Sequence, residues 1–315
     1  MVLGGGPIGC ELSQAFSRVG SDVTIVEMAS QLLGREDEDA AEAVRQSLAD
    51  GDGVHVALST KAVRCEGEGN AGVLVCEQDG HEIRFEFDCL LLALGRRPNT
   101  DSAGLKDLGV TIGSDGTVSA DPFLRTNFPS ISVCGDLAGP YQFTHVAAHQ
   151  AWFASVNSLL RPFWSFRADY RVIPWCTFTD PEVARVGLSE REARDQDTDV
   201  EVTRYGIDDL DRAIAEGEAH GFVKVLTAPG SDRILGATIV GARAGDMIAE
   251  FVLAMKHGLG LNKLLGTIHV YPTMMEANKF AAGAWKQANA PARLLRLLGR
   301  WFDWQRGGPP AGGGT

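Results

Sequence analysis

The sequence has no two cysteines at a working distance. Its six stand at 10, 65, 76, 89, 134 and 176, with no two closer than eleven residues. That spacing excludes a CxxC or CxxxxC redox pair and a zinc-ligand cluster, so no metal site is expected. Free, mostly buried thiols in a reducing, cytoplasmic protein are the plain reading. Long apolar runs are also missing. The longest, Cys89–Leu94, has the length of a strand, so no membrane span is expected. The start, Met-Val-Leu-Gly-Gly-Gly, lacks the basic and apolar regions of a secretory leader. Cations are scarce. Against 41 Asp and Glu there are 29 Lys and Arg, giving a net charge of −12. Phosphate contacts need clustered cations, so nucleic acid and anionic membrane are disfavoured as main partners.

Glycine, by contrast, is abundant: 37 of 315 residues, in a chain of ordinary globular composition long enough for about two domains. The sharpest signal comes first. Val2-Leu3 reads as a strand, Gly4-Gly-Gly6-Pro-Ile-Gly9 as a turn, and Cys10–Arg18 as a helix ended by Val19-Gly20. Val23–Val26 is a second strand, with Glu27 at its end. Gly4 permits the sharp turn, Gly6 lets backbone approach a pyrophosphate, and Gly9 lets helix and strand pack closely. The helix N-terminus offers free N–H groups and a positive dipole end to the phosphates. Glu27 lies 23 residues after Gly4, where it accepts from the adenosine ribose hydroxyls and repels a 2′-phosphate. NAD(H) is therefore expected over NADP(H).

Glu36–Asp39 reads as the solvated, acidic first turn of a helix running to about Ala49. Short strands follow at 54–58, 62–66, 73–77 and 82–87, with Asp79-Gly80 a hairpin turn. Leu90–Leu94 reads as a fully buried strand. In residues 100–168, short strands are expected at 113–118, 121–125 and 131–134, then Gly135-Asp136 and a helix from Thr144. Gly-Asp at a strand end places a carboxylate where a ribitol or ribose hydroxyl can be held, although it is also a common turn dipeptide. His145 and His149 read as polar surface or interface residues rather than ligands. Residues 169–290 suggest strands at 172–179, 200–204, 221–226 and 233–240 in an antiparallel sheet. Helices are expected at 245–258 and 274–289. An amphipathic helix over 292–305 carries Leu294, Leu295, Leu298, Trp301 and Phe302. Packing on a neighbouring subunit is the stronger reading for it, and membrane-surface binding the weaker. The Gly/Pro tail from Gly307 reads as disordered.

Five segments in register resemble the flavin-dependent pyridine nucleotide–disulfide oxidoreductases. They are Gly4–Glu11, Gly95-Arg-Arg-Pro-Asn99, Val133-Cys-Gly-Asp-Leu-Ala138, Phe178–Gly187 and Tyr271-Pro-Thr-Met-Met-Glu276. The resemblance implies an α/β architecture in four parts. These are a Rossmann-type NAD-binding domain over 1–99, the C-terminal part of an FAD-binding domain over 100–168, an α+β dimerisation domain over 169–290, and the helix and tail over 291–315. It implies cofactor-binding roles for Gly4, Gly6, Gly9, Glu27, Gly95, Gly135 and Asp136, with backbone near His145 and Val146 approaching the flavin. Tyr271–Glu276 would reach the active site of a partner subunit in a homodimer. Glu11 resembles a helix carboxylate that pairs with a lysine near the flavin.

Two departures bear on activity. The family's first half, with its own GxGxxG and a CxxxxC disulfide, is missing, so the chain reads as the C-terminal two-thirds of a longer enzyme. Tyr271 stands where disulfide reductases carry a histidine base. Tyrosine, with a pKa near 10, is a poor base at pH 7. Mercuric reductases also carry Tyr followed by Thr-Met there, but they end in a Cys-Cys pair that is missing here, and they usually prefer NADPH. His269 is a second candidate base, or a structural histidine. The resulting expectation is hydride transfer from NAD(P)H through FAD to a disulfide or a metal ion. The alternatives are a non-catalytic, dimerising NAD-binding fragment, or a dihydrolipoamide dehydrogenase.

Overall fold

A computed structural model describes residues 1–67, 71–101 and 104–307. The tail expected to be disordered lies, beyond Gly307, outside the described residues. From the N-terminus run β1 (Val2–Leu3), α1 (Pro7–Arg18), β2 (Thr24–Val26), α2 (Glu38–Gln46), β3 (His55–Ala57), β4 (Lys61–Glu66), β5 (Gly72–Gln78), β6 (His81–Phe87) and β7 (Leu91–Leu92). Four strands form a parallel sheet in the order β3-β2-β1-β7, and β4-β5-β6 form a separate antiparallel sheet. Parallel neighbours need a crossover, which α1 supplies between β1 and β2. Pro7 suits the first turn of α1 because its fixed φ is helical and its missing N–H has no partner to lose there. Asp79 and Gly80 both take positive φ, as the tight β5–β6 turn requires.

Residues 104–173 hold little regular structure: a 3₁₀ turn at Gly135–Leu137 and α3 (Thr144–Leu160). The strands expected at 113–118, 121–125 and 131–134 reduce to the isolated bridges Ile112–Val118 and Arg125–Ser132. A small core of Val110, Val118 and Val133 holds this segment together.

The C-terminal unit contains β8 (Pro174–Thr177), β9 (Glu182–Gly187), α4 (Glu190–Asp195), β10 (Glu201–Gly206), α5 (Asp211–Glu216), β11 (Phe222–Thr227), β12 (Ile234–Gly241), α6 (Ala244–Lys256), α7 (Leu261–Leu265), α8 (Glu276–Ala288) and α9 (Ala292–Gln305). Its antiparallel sheet has the order β10-β11-β12-β9-β8. Side chains alternate across a strand, and here both faces are covered. Ala184, Val186, Val223, Val225, Ala237 and Ile239 face α6 and α8, packing with Phe251, Ala281 and Trp285. Val183, Phe222 and Val240 face the other way and share a core with Val2, Cys10 and Ile25. The sheet is thus the wall against which the N-terminal unit is built.

Two further expectations fail, each for a tertiary reason. Leu90–Leu94 is not a fully buried strand. Only Leu91–Leu92 pair, at the sheet edge, and Leu92 and Leu94 are 63% and 69% exposed. Nor is Glu36–Asp39 solvated. Glu36 and Asp37 are buried against the C-terminal sheet. Glu36 lies 3.0 Å from the buried Arg185 and accepts from Trp175 Nε1 at 2.8 Å. Burial raises the Glu36 pKa against the pull of Arg185. Lys224, also buried, sits 2.9 Å from Asp37, 2.7 Å from Asp39 and 2.9 Å from Glu190. Burial alone would raise Asp37, but Lys224 and the backbone N–H groups of Glu190 and Arg191 outweigh it and hold the pKa low. The helix over 36–49 becomes α2 plus a π-helical turn at Ser47–Gly51.

Candidate dinucleotide and flavin site

The Gly4–Gly9 turn, Glu27 and Gly95 follow β1, β2 and β7. All three therefore lie at the carboxyl edge of the parallel sheet, where α/β folds bind ligands. Gly4 has φ +112, and a Cβ there would meet the Ala93 carbonyl at 2.6 Å. A Cβ on Gly9 would lie 1.9 Å from the Gly4 carbonyl, so strand and helix touch through bare backbone. Gly6 is different. No atom lies within 4 Å of a Cβ built there, and Gly6 caps α1 without a side-chain bond. The first-turn N–H groups consequently face open space that a diphosphate fits. Glu27 accepts from Gly5 N–H at 2.6 Å and Ala29 N–H at 2.7 Å. These bonds fix the carboxylate beside the turn, and each oxygen keeps a lone pair for a ribose hydroxyl.

Gly135 takes φ +71 and donates its N–H to the buried Gln150 Oε1 at 2.6 Å. Gln150 in turn donates to Tyr170 Oη at 2.7 Å and to Gly139 O at 3.3 Å. This network presents Asp136, whose carboxylate pairs with Arg96 at 2.9 Å. Both partners are partly exposed, so the pair is worth about 0–1 kcal/mol and yields to a better donor. Val146 is buried and His145 exposed, on the uncapped first turn of α3. His145 stacks on Phe143 and sits 2.9 Å from Pro174 O through Nε2, while His149 packs on Phe153.

The remaining candidates make contacts of their own. Tyr271 is exposed and donates to Asp211 Oδ2 at 2.8 Å. That bond raises the tyrosine pKa. His269 is half-buried, its side chain 5% exposed, with Nε2 2.8 Å from Glu250 and Nδ1 3.1 Å from Thr267 O. Glu276 turns back to accept from Thr273 N–H at 3.2 Å and does not bond to Tyr271. Glu11 accepts from Phe178 N–H at 2.8 Å, tying α1 to the loop after β8.

Comparison with known proteins decides the family. Residues 1–151 match pyridine nucleotide-disulphide oxidoreductase, and residues 173–282 match the dimerisation domain of the same family. The chain belongs to the pyridine nucleotide–disulphide oxidoreductases. It is 34% identical to dihydrolipoyl dehydrogenase of Chlamydia trachomatis over 275 residues, covering 87% of this chain and 57% of the relative. It is 35% identical to that of Thermus scotoductus over 286 residues, covering 90% and 61%. A Cu(II) complex of the HOCl-induced flavoprotein disulfide reductase RclA from Escherichia coli superposes with a TM-score of 0.81 at 29% identity, covering 90% of this chain and 63% of that one. The chain thus spans about three fifths of the length of these relatives.

Against the expectation of mostly buried thiols, Cys65, Cys89 and Cys134 are exposed; Cys10 and Cys76 are buried and Cys176 is half-buried. Burial, then Glu11 and Glu27, push Cys10 up to about 12. Burial, then Glu182 and Glu11, push Cys176 up to about 12. Sequence reasoning missed Arg96 beside Asp136, Gln150 beneath Gly135 and Asp211 beside Tyr271, because each meets its partner only through the fold. One group of possible cation ligands exists among the described residues, Asp180, Glu218 and His220. Arg18 already holds one Asp180 oxygen at 2.8 Å.

Proposed function

We propose that this chain supplies the NADH-binding, flavin-supporting and dimer-forming portion of a homodimeric oxidoreductase. In this reading two electrons pass from NADH through FAD to a disulfide or a metal ion. The observation that carries it is the open, uncapped turn at Gly6 beside the fixed carboxylate of Glu27. Gly6 leaves room for the pyrophosphate, and Glu27 orients the ribose and disfavours a 2′-phosphate. Asp136, now paired with Arg96, would hold a ribitol hydroxyl of FAD. The His145 and Val146 N–H groups stabilise negative charge at the N-terminus of α3. FAD, when bound, supplies the two-electron chemistry between nicotinamide and acceptor. The six unpaired cysteines support a reducing, cytoplasmic setting.

Tyr271, held protonated by Asp211, suits donation of a hydrogen bond or proton better than abstraction. Its neighbours His269 and Glu276 support the segment, and Glu11 fastens the nucleotide unit to the loop at Phe178. Tyr271 favours the mercuric-reductase-like branch, and the RclA relative, solved with Cu(II), supports a metal ion as acceptor. A second reading, dihydrolipoyl dehydrogenase, is supported by the named relatives. Tyr271 opposes it, because dithiol oxidation needs a base near pH 7.

Gly6→Ala tests the reading. The added methyl meets no protein atom, so thermal stability should hold. NADH affinity, followed by tryptophan fluorescence, should fall by roughly tenfold or more, equivalent to about 1.4 kcal/mol. Unchanged affinity would remove Gly6 from the binding site.

A further inference from the structure

Helix α9, Ala292–Gln305, stands outside every core cluster among the described residues. Leu294, Leu295, Leu297, Leu298, Trp301, Phe302 and Trp304 are exposed by 39% to 77%. At 3.6 residues per turn they share one arc of roughly 180°, which also takes in Gln305 at the helix end. The opposite arc holds Arg293, Arg296, Arg300 and Asp303, and Arg306 follows the helix.

The width of the apolar arc bears on the occupant. A helix packed on a protein neighbour buries a stripe of about 100° or somewhat more. A helix lying in the plane of a water–lipid interface has half its circumference in each phase. Charge bears on it too. The chain carries −12 overall, yet here four arginines face one aspartate. Such a cationic strip on an acidic protein complements an anionic surface. Trp301 and Trp304 have the amphipathic rings that settle at headgroup depth. The net charge disfavours membrane binding by the chain as a whole, and α9 is where that argument fails locally.

We propose that α9 is an interfacial anchor for anionic phospholipid. Its apolar half enters the headgroup–acyl boundary and its arginines meet lipid phosphates, so the oxidoreductase is held at a membrane face. This goes beyond the proposed electron transfer and does not depend on it.

The test is co-sedimentation of the purified 315-residue chain with vesicles of phosphatidylcholine alone or mixed with phosphatidylglycerol. Binding should be at least roughly tenfold stronger to the anionic vesicles and should weaken with salt. Emission of Trp301 and Trp304 should shift to the blue on binding. Leu298→Asp with Trp301→Ser should abolish pelleting. Arg293→Gln with Arg296→Gln and Arg300→Gln should remove only the preference for anionic lipid. Unchanged far-ultraviolet circular dichroism in both variants, whose substitutions lie on a helix outside the core clusters, shows that the body stays folded. Failure to bind any vesicle, or equal binding to both compositions, overturns the proposal. So does a dimer that the Leu298→Asp, Trp301→Ser variant splits into monomers while vesicles have no effect, which assigns α9 to a neighbouring subunit.

Discussion

Replacing Lys224 by methionine removes the cation that Asp37, Asp39 and Glu190 surround, while keeping most of the apolar stem. Asp39 and Glu190 are 38% and 39% exposed and rehydrate, so each loss counts for about 0–1 kcal/mol. Asp37 is 6% exposed and cannot rehydrate. Breaking a buried pair costs about 3–5 kcal/mol. Asp37 keeps the Glu190 and Arg191 N–H groups, both at 3.1 Å, which puts the loss at the lower end, about 3 kcal/mol. With a urea slope of roughly 2 kcal/mol/M, the unfolding midpoint should fall by roughly 1.5 M at pH 7.

The pH dependence follows from the signs. Asp37 is depressed in the fold, so its contribution is present above its unfolded value near 3.9 and is lost as pH falls through the folded value. For Lys224, burial lowers the pKa, but Asp39, Glu190 and Asp37 outweigh it and raise it. Its contribution is complete below its unfolded value near 10.4 and is lost as pH rises through the folded value. The deficit of Lys224→Met should therefore be largest between about pH 5 and 9 and shrink below about pH 4. Adding Asp37→Asn should recover stability to within about 1 kcal/mol, because both charges are then gone. A deficit under about 1 kcal/mol at pH 7, or one that stays flat as pH falls from about 4 to about 2, would refute the buried-pair reasoning.

Two other outcomes follow from the site. Glu27→Arg should move the ratio of NADPH to NADH affinity by at least roughly tenfold, since one charge pair at about 4 Å is worth about 1–4 kcal/mol between dielectrics of 80 and 20 and a reversal counts that twice. An unchanged ratio in a fluorescence titration would dismiss the ribose role. Iodoacetamide at pH 8 should modify the exposed Cys65, Cys89 and Cys134 quickly, with Cys10 and Cys176 reacting only after unfolding. Rapid alkylation of Cys10, located by peptide mass spectrometry, would contradict its burial.

What sequence made legible is what local geometry dictates. The Gly4–Gly9 turn, α1, β2 and Glu27 are contiguous, so their arrangement needs no distant partner. The β5–β6 hairpin follows from Asp79-Gly80, and α6 from its apolar periodicity. Burial was not legible where it depends on an edge or a neighbouring unit. Leu90–Leu94 has the composition of a central strand, yet it lies at an edge of its sheet. Tyr271 is readable as a weak base, but Asp211 reaches it only across the fold.

The acidic run shows how far a charge pattern can be pushed. Alone, Glu36–Asp39 is an ordinary helix start, and solvation is the sound inference. Its partners are remote: Trp175 lies 139 residues from Glu36, and Lys224 lies 185 from Asp39. A signal was nonetheless present on the other side. β9 reads Val183-Ala-Arg185-Val186 and β11 reads Phe222-Val-Lys224-Val-Leu226, so each holds one long cation amid apolar residues. A strand buried on both faces cannot leave such a cation unpaired, because an isolated buried charge costs far more than packing returns. Two buried cations therefore demand at least two buried carboxylates elsewhere, and acids clustered at one helix start are the natural source. The inference runs from the lone cation in the apolar strand to the acid, not from the acid run outward.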